Sequence, residues 1–591
     1  MKFFKSLSQI IIDRLPLFVF SCILLSLPAG LNQMDSDGGW HFAKALFLFS
    51  LIESFSISAI FCLIDKFLKG FFKWPCFIFL LLLAEVELFV FIHFGTRMSS
   101  MIMSFVLQTN IHETGEFMNT FVYTGASIPV IISLIIFIAL FYWLDKLWRK
   151  RIKYKNDKIQ EFNGRYYKIA CPISIIVFII SLLLIIDISI SKSVKIIPPA
   201  YTTLQSYINS LSAVGNHSEE ISNIREAIKE VHIDSCSYKS PIIIVVIGES
   251  YNKYHSNLYG YRLNTCPNLL KEKRNGNLFV FSNAVSPMAS TDFAMKYFYS
   301  TKSLCNDDSE WSHNPLFPAI FKKAGYDVRL FDNQCTQTKG DVNLDYQCSY
   351  FLNPDDINKN CFDYRNTDVF GYDGEMVNES RTHLSQKSNQ LVIFHLMGQH
   401  FGADLRYPHT DQFAYFNASN IKRTDLKMSQ RQQIAYYDNA TLYNDYVIKK
   451  IIDLFSNKNA ILIYFSDHGE QIYDNHARGF GRKFTKNINY EDIKCQNEIP
   501  FMIWCSDKYI KSHAEIIHRI SKSVGNPIMN DDICYLLFDL AGIQYKGNKP
   551  NRSFISDFYN KRYHRMINEN YDYDIHYNQI RKTRLLTEST E

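Results

Sequence analysis

The hydrophobic pattern divides the chain into two unlike parts. Over about the first third, Leu, Ile and Phe crowd into five segments, roughly 15–32, 42–64, 74–95, 126–144 and 169–190. Each is close to the ~20 apolar residues an α-helix needs to cross a bilayer. More spans follow the first, and it has no clear small-residue cleavage site, so it reads as a membrane helix and not as a cleaved signal. Beyond residue 240 the apolar runs become short, β-branched and bounded by Pro or Gly. Pro241-Ile-Ile-Ile-Val-Val-Ile-Gly248 is the clearest, followed by Asp327–Asp332, Leu391–Met397, Ala460–Ser466 and Pro500–Trp504. Helical patterns such as Asp438–Phe455 and Asp531–Ala541 separate them. Buried strands alternating with helices predict an α/β domain with a largely parallel central sheet. The polar stretch between the two parts, with Pro198-Pro199 as an early break, reads as a connector. The expected organisation is a five-helix transmembrane domain at 1–190, a connector at 191–240 and an outer catalytic domain at 241–591.

Basic residues orient the spans. Lys2 and Lys5 precede the first. The loop 33–41 has no Lys or Arg and carries Asp35 and Asp37; the next has Lys66, Lys69 and Lys73; the loop 96–125 has only Arg97. The fourth runs from Lys146 to Lys168 with Arg149, Lys150, Arg151, Lys153, Lys155, Lys158 and Arg165. The alternation predicts a cytoplasmic N-terminus and places everything after residue 190 on the outer side. Glu53, Glu85 and Glu87 fall inside spans, where a carboxylate either faces a polar partner or sits at a hydrated helix end.

Charge and cysteine content add two limits. A net charge of +5 over 591 residues, without a basic stripe, gives no reason to expect nucleic-acid binding. Of 13 cysteines, Cys22, Cys62, Cys76 and Cys171 lie in apolar segments as small buried hydrophobes, and nine follow residue 230. An outer location allows disulfides, and Cys348 with Cys361 is a plausible pair.

Candidate chemistry gathers at the carboxyl ends of the predicted strands, where ligands bind in such sheets. Gly248-Glu249-Ser250 ends one run, Gly398-Gln399-His400 follows another, and Ser466-Asp467-His468-Gly469-Glu470 ends a third. Carboxylates and imidazoles on neighbouring strand ends form a mixed oxygen and nitrogen site that suits Zn²⁺. His395, inside a strand, reads as structural.

These residues also carry a resemblance. Val246-Ile-Gly-Glu-Ser250, Leu258-Tyr-Gly-Tyr261 with Thr265 and Pro267, and Phe281-Ser-Asn283 running to Ser290-Thr291 resemble phosphoethanolamine transferases. So do Asp332-Asn333 with Lys339-Gly340, Met397-Gly398 with His400, Tyr437-Asp-Asn-Ala440 and Ser466-Asp-His-Gly-Glu470, in the same order. The resemblance covers nearly the whole chain, including five spans. It implies an alkaline phosphatase/sulfatase-like fold. It also implies transfer of phosphoethanolamine from phosphatidylethanolamine to a lipopolysaccharide or other envelope acceptor, through a phosphoethanolamine-threonine intermediate. By position it implies Glu249, Thr291, Asp467 and His468 as zinc ligands and Thr291 as nucleophile. His400 and His476 look like residues that bind substrate or a second zinc, and one or the other would assist the proton transfers; Lys339 would contact the phosphate. In Leu107-Gln-Thr-Asn-Ile-His-Glu113-Thr114 it implies Thr109 and Glu113 as head-group contacts.

Two departures bear on the acceptor. Pro287-Met288-Ala289 stands where the lipid A-directed branch has Cys-Gly-Thr, and Arg262 comes one place early after Tyr261. Both favour another branch of the family. Two rivals share the architecture: a glycerol phosphate transferase of the same fold, and a non-enzymatic envelope sensor without a metal site. No Cys-x-Pro-x-Arg motif supports a sulfatase nucleophile.

Overall fold

The computed structural model describes residues 9–31, 39–94, 98, 103, 114–115, 117–118, 122–123, 125–156, 177, 180, 217–304, 309–335, 347–475, 479–482, 489–561, 564–568 and 571–578. The chain forms two compact units, Met1–Ser212 and Ala213–Glu591.

In the first unit, helices Leu15–Leu31, Gly39–Phe67, Lys73–Phe94 and Ile128–Asn156 run up and down. Polar bonds join the start of the first and third to the end of the second and fourth. Arg14 Nε meets Asp65 Oδ2 at 2.8 Å, Lys73 N donates to Asp65 Oδ1 at 2.8 Å, and Lys73 Nζ meets Asp145 Oδ1 at 2.7 Å. Trp148 Nε1 donates to Ile12 O at 2.7 Å at the same end. Phe77 and Phe141 stack at 3.9 Å inside the bundle, with Phe20 edge-on to both. By length and composition, two described helices can cross a membrane, Lys73–His93 and Ile128–Ile152; Leu15–Ser26 is apolar but shorter. Five spans were expected, so the expectation exceeds what the described residues carry. Gly39–Phe67 is no unbroken apolar run, since Ser50, Ser54, Ser56 and Ser58 are buried along it, and of 169–190 only Val177 and Ile180 are described. Only 11% of the apolar window of Ile128–Ile152 is buried, and Ile131, Ile132, Ile135 and Ile136 point outward. An apolar face of that extent is stable against lipid and unstable against water. Glu85 and Glu87 are buried, and Glu87 Oε2 accepts from Met98 N at 3.1 Å; the side chain of Glu53 lies outside the described residues.

The second unit is built on a seven-stranded sheet. Along the chain its strands are β1 (Ile242–Gly248), β2 (Leu278–Phe281), β3 (Asp327–Asp332), β4 (Tyr364–Arg365), β5 (Gln390–His395), β6 (Ala460–Ser466) and β7 (Phe501–Cys505). Their spatial order is β2-β7-β6-β1-β5-β3-β4. Every residue of β1, β5 and β6 is buried, because alternate side chains enter two cores. Ile243, Val245, Ile247, Ile461 and Ile463 face one; Ile244, Val246, Leu462 and Tyr464 face the other. The long helix Met428–Phe455 seals the second core with Val447, Ile448, Ile451, Ile452 and Phe455. Helix Ile533–Ala541 packs into the first.

The sheet is mixed where a largely parallel one was expected. Strands β6, β1, β5, β3 and β4 are parallel, while β7 runs antiparallel to β6 and to β2. Helix Tyr490–Asn497 leads into β7 at the carboxyl edge, where Phe501 pairs with Phe465 at the end of β6. A strand entered from that edge must run backward.

Part of the stretch read as connector packs on this unit. Helix His217–Lys229 buries Ile221, Ile224 and Ile228 in the first core, and Ile233–Cys236 pairs antiparallel with Ile543–Tyr545.

Candidate active site

The carboxyl ends of β6, β1, β5 and β3 lie side by side, so Asp467, Glu249, Leu396 and Asn333 emerge together. The chain leaves β2 at the same edge and reaches Thr291, the first residue of helix Thr291–Tyr299. Glu249, Asp467 and His468 are wholly buried, and one ligand atom from each lies within 4.8 Å of the others.

Hydrogen bonds engage most, but not all, of the polar atoms of this cluster. Asp467 Oδ1 accepts from Ser250 N at 3.0 Å and from His468 N at 2.7 Å. Asp467 Oδ2 is buried with no hydrogen-bond partner. His468 Nδ1 donates to Gly469 O at 2.8 Å, which turns the Nε2 lone pair inward, 3.2 Å from Asp467 Oδ2 and 3.5 Å from Glu249 Oε1. Thr291 Oγ1 donates to Glu249 Oε2 at 2.9 Å and lies 3.4 Å from His468 Nε2. Two neighbouring carboxylates, an orphaned buried oxygen and a neutral imidazole fit a divalent cation, and their mixture of O and N donors fits zinc.

The charges show the same demand. Burial pushes the Asp467 carboxyl well above the ordinary range, and Glu249 beside it pushes further. Burial also acts to raise Glu249, but the His468 and His400 rings and Arg482 outweigh it and hold Glu249 low. Burial, with Arg482, pushes the His468 ring down to about 3, and burial pushes His400 down to about 3. Both imidazoles are therefore neutral near pH 7 and keep a lone pair. His400 is half-buried, and its Nδ1 has no hydrogen-bond partner.

Local backbone geometry holds the cluster. Ser250 sits at φ +56°, in the left-handed region, so the chain turns sharply after Glu249 and Ser250 Oγ donates to Glu249 Oε1 at 2.6 Å. Gly398 has φ +51°, and a Cβ there would lie 2.9 Å from the backbone N and O of Glu249. Only glycine lets the β5 loop approach Glu249 so closely.

The Tyr437-Asp-Asn-Ala440 motif acts from beneath. Tyr437 Oη accepts from Asn252 N at 2.7 Å and donates to Ser250 O, bracing the turn after Glu249. Asp438 accepts from His255 Nδ1 at 2.7 Å and from Tyr261 Oη at 2.8 Å, while His255 Nε2 meets Asp474 Oδ1 at 3.2 Å. Burial works against a charge on His255, but Asp438 and Asp474 outweigh it and push its pKa up to about 10. Its contribution to stability is complete below the unfolded value near 6.5 and is lost as pH rises through about 10. Substituting His255 by Gln leaves the Asp438 carboxylate buried and without its charge partner, which costs about 3 kcal/mol or more. Urea midpoints should fall between pH 7 and pH 10.5 in the parent protein. The variant should start lower and lose less over the same interval.

Two contacts at the site had not been singled out from the sequence. Gln334 Nε2 donates to Glu249 Oε2 at 3.1 Å and to Leu396 O at 2.7 Å. Arg482 donates to His468 Nε2 at 2.7 Å and lies 3.6 Å from Glu470 Oε2. His395 instead pairs below the site with Asp332, Nδ1 to Oδ1 at 3.0 Å. Glu249, Thr291, Asp467 and His468 are brought together, with His400 close enough to feel the charge of Glu249. His476, Lys339, Thr109 and Glu113 lie outside the described residues.

Residues 241–543 match the sulfatase family, over more than half of the chain, and the chain belongs to that family. Within it the resemblance is to phosphoethanolamine transferases. Phosphoethanolamine transferase EptC of Escherichia coli K12 is 25% identical over 486 residues, 79% of each chain. Kdo(2)-lipid A phosphoethanolamine 7''-transferase of Salmonella typhimurium is 26% identical over 332 residues, 53% of this chain and 55% of that protein. Among solved structures, the C-terminal periplasmic domain of E. coli EcEptC superposes with a TM-score of 0.50 at 27% identity, covering 58% of this chain and 95% of that domain. The integral membrane protein lipooligosaccharide phosphoethanolamine transferase A (EptA) of Neisseria meningitidis superposes with a TM-score of 0.59 at 17% identity. It covers 92% of this chain and 97% of that protein, a likeness of fold across both units.

Proposed function

We propose that this protein is an inner-membrane, zinc-dependent phosphoethanolamine transferase. It moves phosphoethanolamine from phosphatidylethanolamine to a lipopolysaccharide acceptor, core sugar or lipid A, through a phosphoethanolamine-threonine intermediate. The observation that carries this reading is the hydroxyl of Thr291, 2.9 Å from Glu249 Oε2 and 3.4 Å from His468 Nε2, beside a buried carboxylate–imidazole cluster whose Asp467 Oδ2 has no hydrogen-bond partner. The relatives named above support the transferred group and the acceptor class. The outward apolar face of Ile128–Ile152 supports the membrane. The meeting of Arg14, Asp65, Lys73 and Asp145 on one side of the bundle supports helices that alternate in direction; the cytoplasmic N-terminus and periplasmic catalytic domain rest on the basic loops.

Glu249, Asp467, His468 and Thr291 would hold the zinc. Bound there, the ion favours the threonine alkoxide at neutral pH and draws charge from the phosphoryl oxygens as the transition state forms. Glu249 Oε2 accepts the hydrogen bond of the Thr291 hydroxyl and so orients Oγ1 for attack on the donor phosphorus. A P–O bond to Thr291 forms as the P–O bond to diacylglycerol breaks, and that oxygen takes up a proton. The acceptor hydroxyl or phosphate then displaces Thr291, and the threonine hydroxyl is regenerated. His400, neutral and with no hydrogen-bond partner on Nδ1, or else His476, would carry protons in these steps. Lys339 would contact the phosphate, and Thr109 and Glu113 the ethanolamine head group.

Incubation of the purified protein with fluorescent phosphatidylethanolamine tests the donor. Diacylglycerol release that stops with chelator is expected. Release from phosphatidylglycerol but not from phosphatidylethanolamine would replace this reading with glycerol phosphate transfer.

A further inference from the structure

Two thiols beside the site face each other. Cys335 follows Gln334, whose side chain touches Glu249 Oε2 and Leu396 O. Asp332 Oδ1 pins this turn from one side, accepting from Gln334 N at 2.9 Å and from Cys335 N at 3.1 Å. On the other side, Cys335 Sγ lies 3.0 Å from Cys348 Sγ. The sequence suggested Cys361 as the partner of Cys348, but Cys361 is buried in the apolar core. The other described thiols of this unit are engaged elsewhere. Cys236 faces Ala541 O, Cys266 the Tyr251 hydroxyl, Cys495 Asn475 and Cys534 the backbone of Phe298 and Ser300, while Cys505 is in the core.

Thiols already in contact need only a small side-chain rotation to bond. We infer that Cys335 and Cys348 form a disulfide that staples the Gln334 turn beside Glu249. The inference rests on the outer-side placement proposed above, because that compartment permits disulfides and the cytosol does not. Both S–H bonds break and one S–S bond forms; two electrons and two protons pass to the disulfide of an oxidising protein, which leaves as a dithiol. Cys348 leads directly into Tyr350, Phe351 and Leu352, all in the core, so the bond ties the turn to a rigid body. Gln334 is thereby a positioning residue for Glu249, held by Asp332 at one end and by the staple at the other.

Peptide mapping decides the pairing. The full-length protein is purified in detergent without reductant, its thiols are alkylated, and it is cut with trypsin. Cleavage after Arg329, Lys339 and Lys359 puts Cys335 in 330–339, Cys348 in 340–359 and Cys361 in 360–365. The expected product is 330–339 joined to 340–359, separated by reductant and retained in Cys361→Ser. A bond between 340–359 and 360–365 would overturn the inference. So would alkylation of both Cys335 and Cys348 after incubation with oxidised glutathione. Thiols found free on isolation that join under oxidised glutathione would support the pairing and count against the outer-side placement. Reductant should lower turnover of the parent protein about 3- to 10-fold, the scale of a sub-ångström misplacement, and leave Cys348→Ser unchanged. An equal loss in both would remove the positioning role.

Discussion

Thr291→Ala should fold, bind zinc and transfer nothing. The substitution removes one hydroxyl from a half-buried residue and one hydrogen bond to Glu249. It leaves the start of the helix intact, because Ser290 is the N-cap and its Oγ bonds Asp292 at 2.9 Å. Stability should change by less than about 1 kcal/mol. Turnover should fall by at least about 10⁴-fold, the scale seen when a nucleophile is deleted from an otherwise complete site. Thr291→Ser keeps the oxygen and should retain measurable activity. Release of diacylglycerol from fluorescent phosphatidylethanolamine reads the loss. Mass spectrometry of the parent protein, stopped before acceptor is added, should find a phosphoethanolamine adduct on Thr291. An adduct on Ser286 or Ser290, or undiminished release from the Ala variant, would assign the nucleophile elsewhere.

Much of this site was legible because its ligands sit at the ends of strands, and strands of this kind announce themselves. Ile242–Gly248 is an almost unbroken β-branched run, which only a strand buried on both faces accommodates, and Glu249 is the first polar residue beyond it. Asp467 follows β6 in the same way. The direction of β7 was not legible. Its composition matches that of a parallel strand, and its sense depends on the edge from which the chain enters it. Gln334 and Arg482 come from polar loops without periodicity, and their roles arise from contacts across 85 and 14 positions of sequence. The cysteines show the limit most plainly. Cys335 and Cys361 are equally far from Cys348 along the chain, so spacing cannot choose between them. What separates them is that Cys361 ends a helix turned into the core while Cys335 lies on the turn at the sheet edge. In the membrane unit, apolar runs showed where helices form. They could not show that Gly39–Phe67 buries a line of serines, with Ser54 Oγ 3.1 Å from Ser26 Oγ of the neighbouring helix.

Asp467→Asn should separate the cost of the site from its use. In the metal-free protein, two wholly buried carboxylates stand side by side, and Asp467 Oδ2 has no partner to offset its desolvation. Asparagine is isosteric. Its Oδ1 can still accept from Ser250 N and His468 N, while its Nδ2 replaces the orphaned oxygen and offers Glu249 a donor in place of a like charge. The metal-free variant should therefore unfold at a temperature equal to or above that of the metal-free parent. Zinc should reverse the order. The parent gains stability in proportion to the occupancy of its site, about 2.7 kcal/mol at one hundred times the dissociation constant. The variant, with a ligand charge removed, should bind zinc at least about 100-fold more weakly, the upper end of what loss of a mere supporting contact costs, and gain little. Transfer should fall at least about 10³-fold, in line with loss of electrostatic stabilisation of the transition state. Thermal unfolding of both proteins after chelation and again with added zinc measures the crossing. An aspartate that only braced the fold would make the variant less stable in both conditions, with equal zinc-induced shifts, and that pattern would remove Asp467 from the metal site.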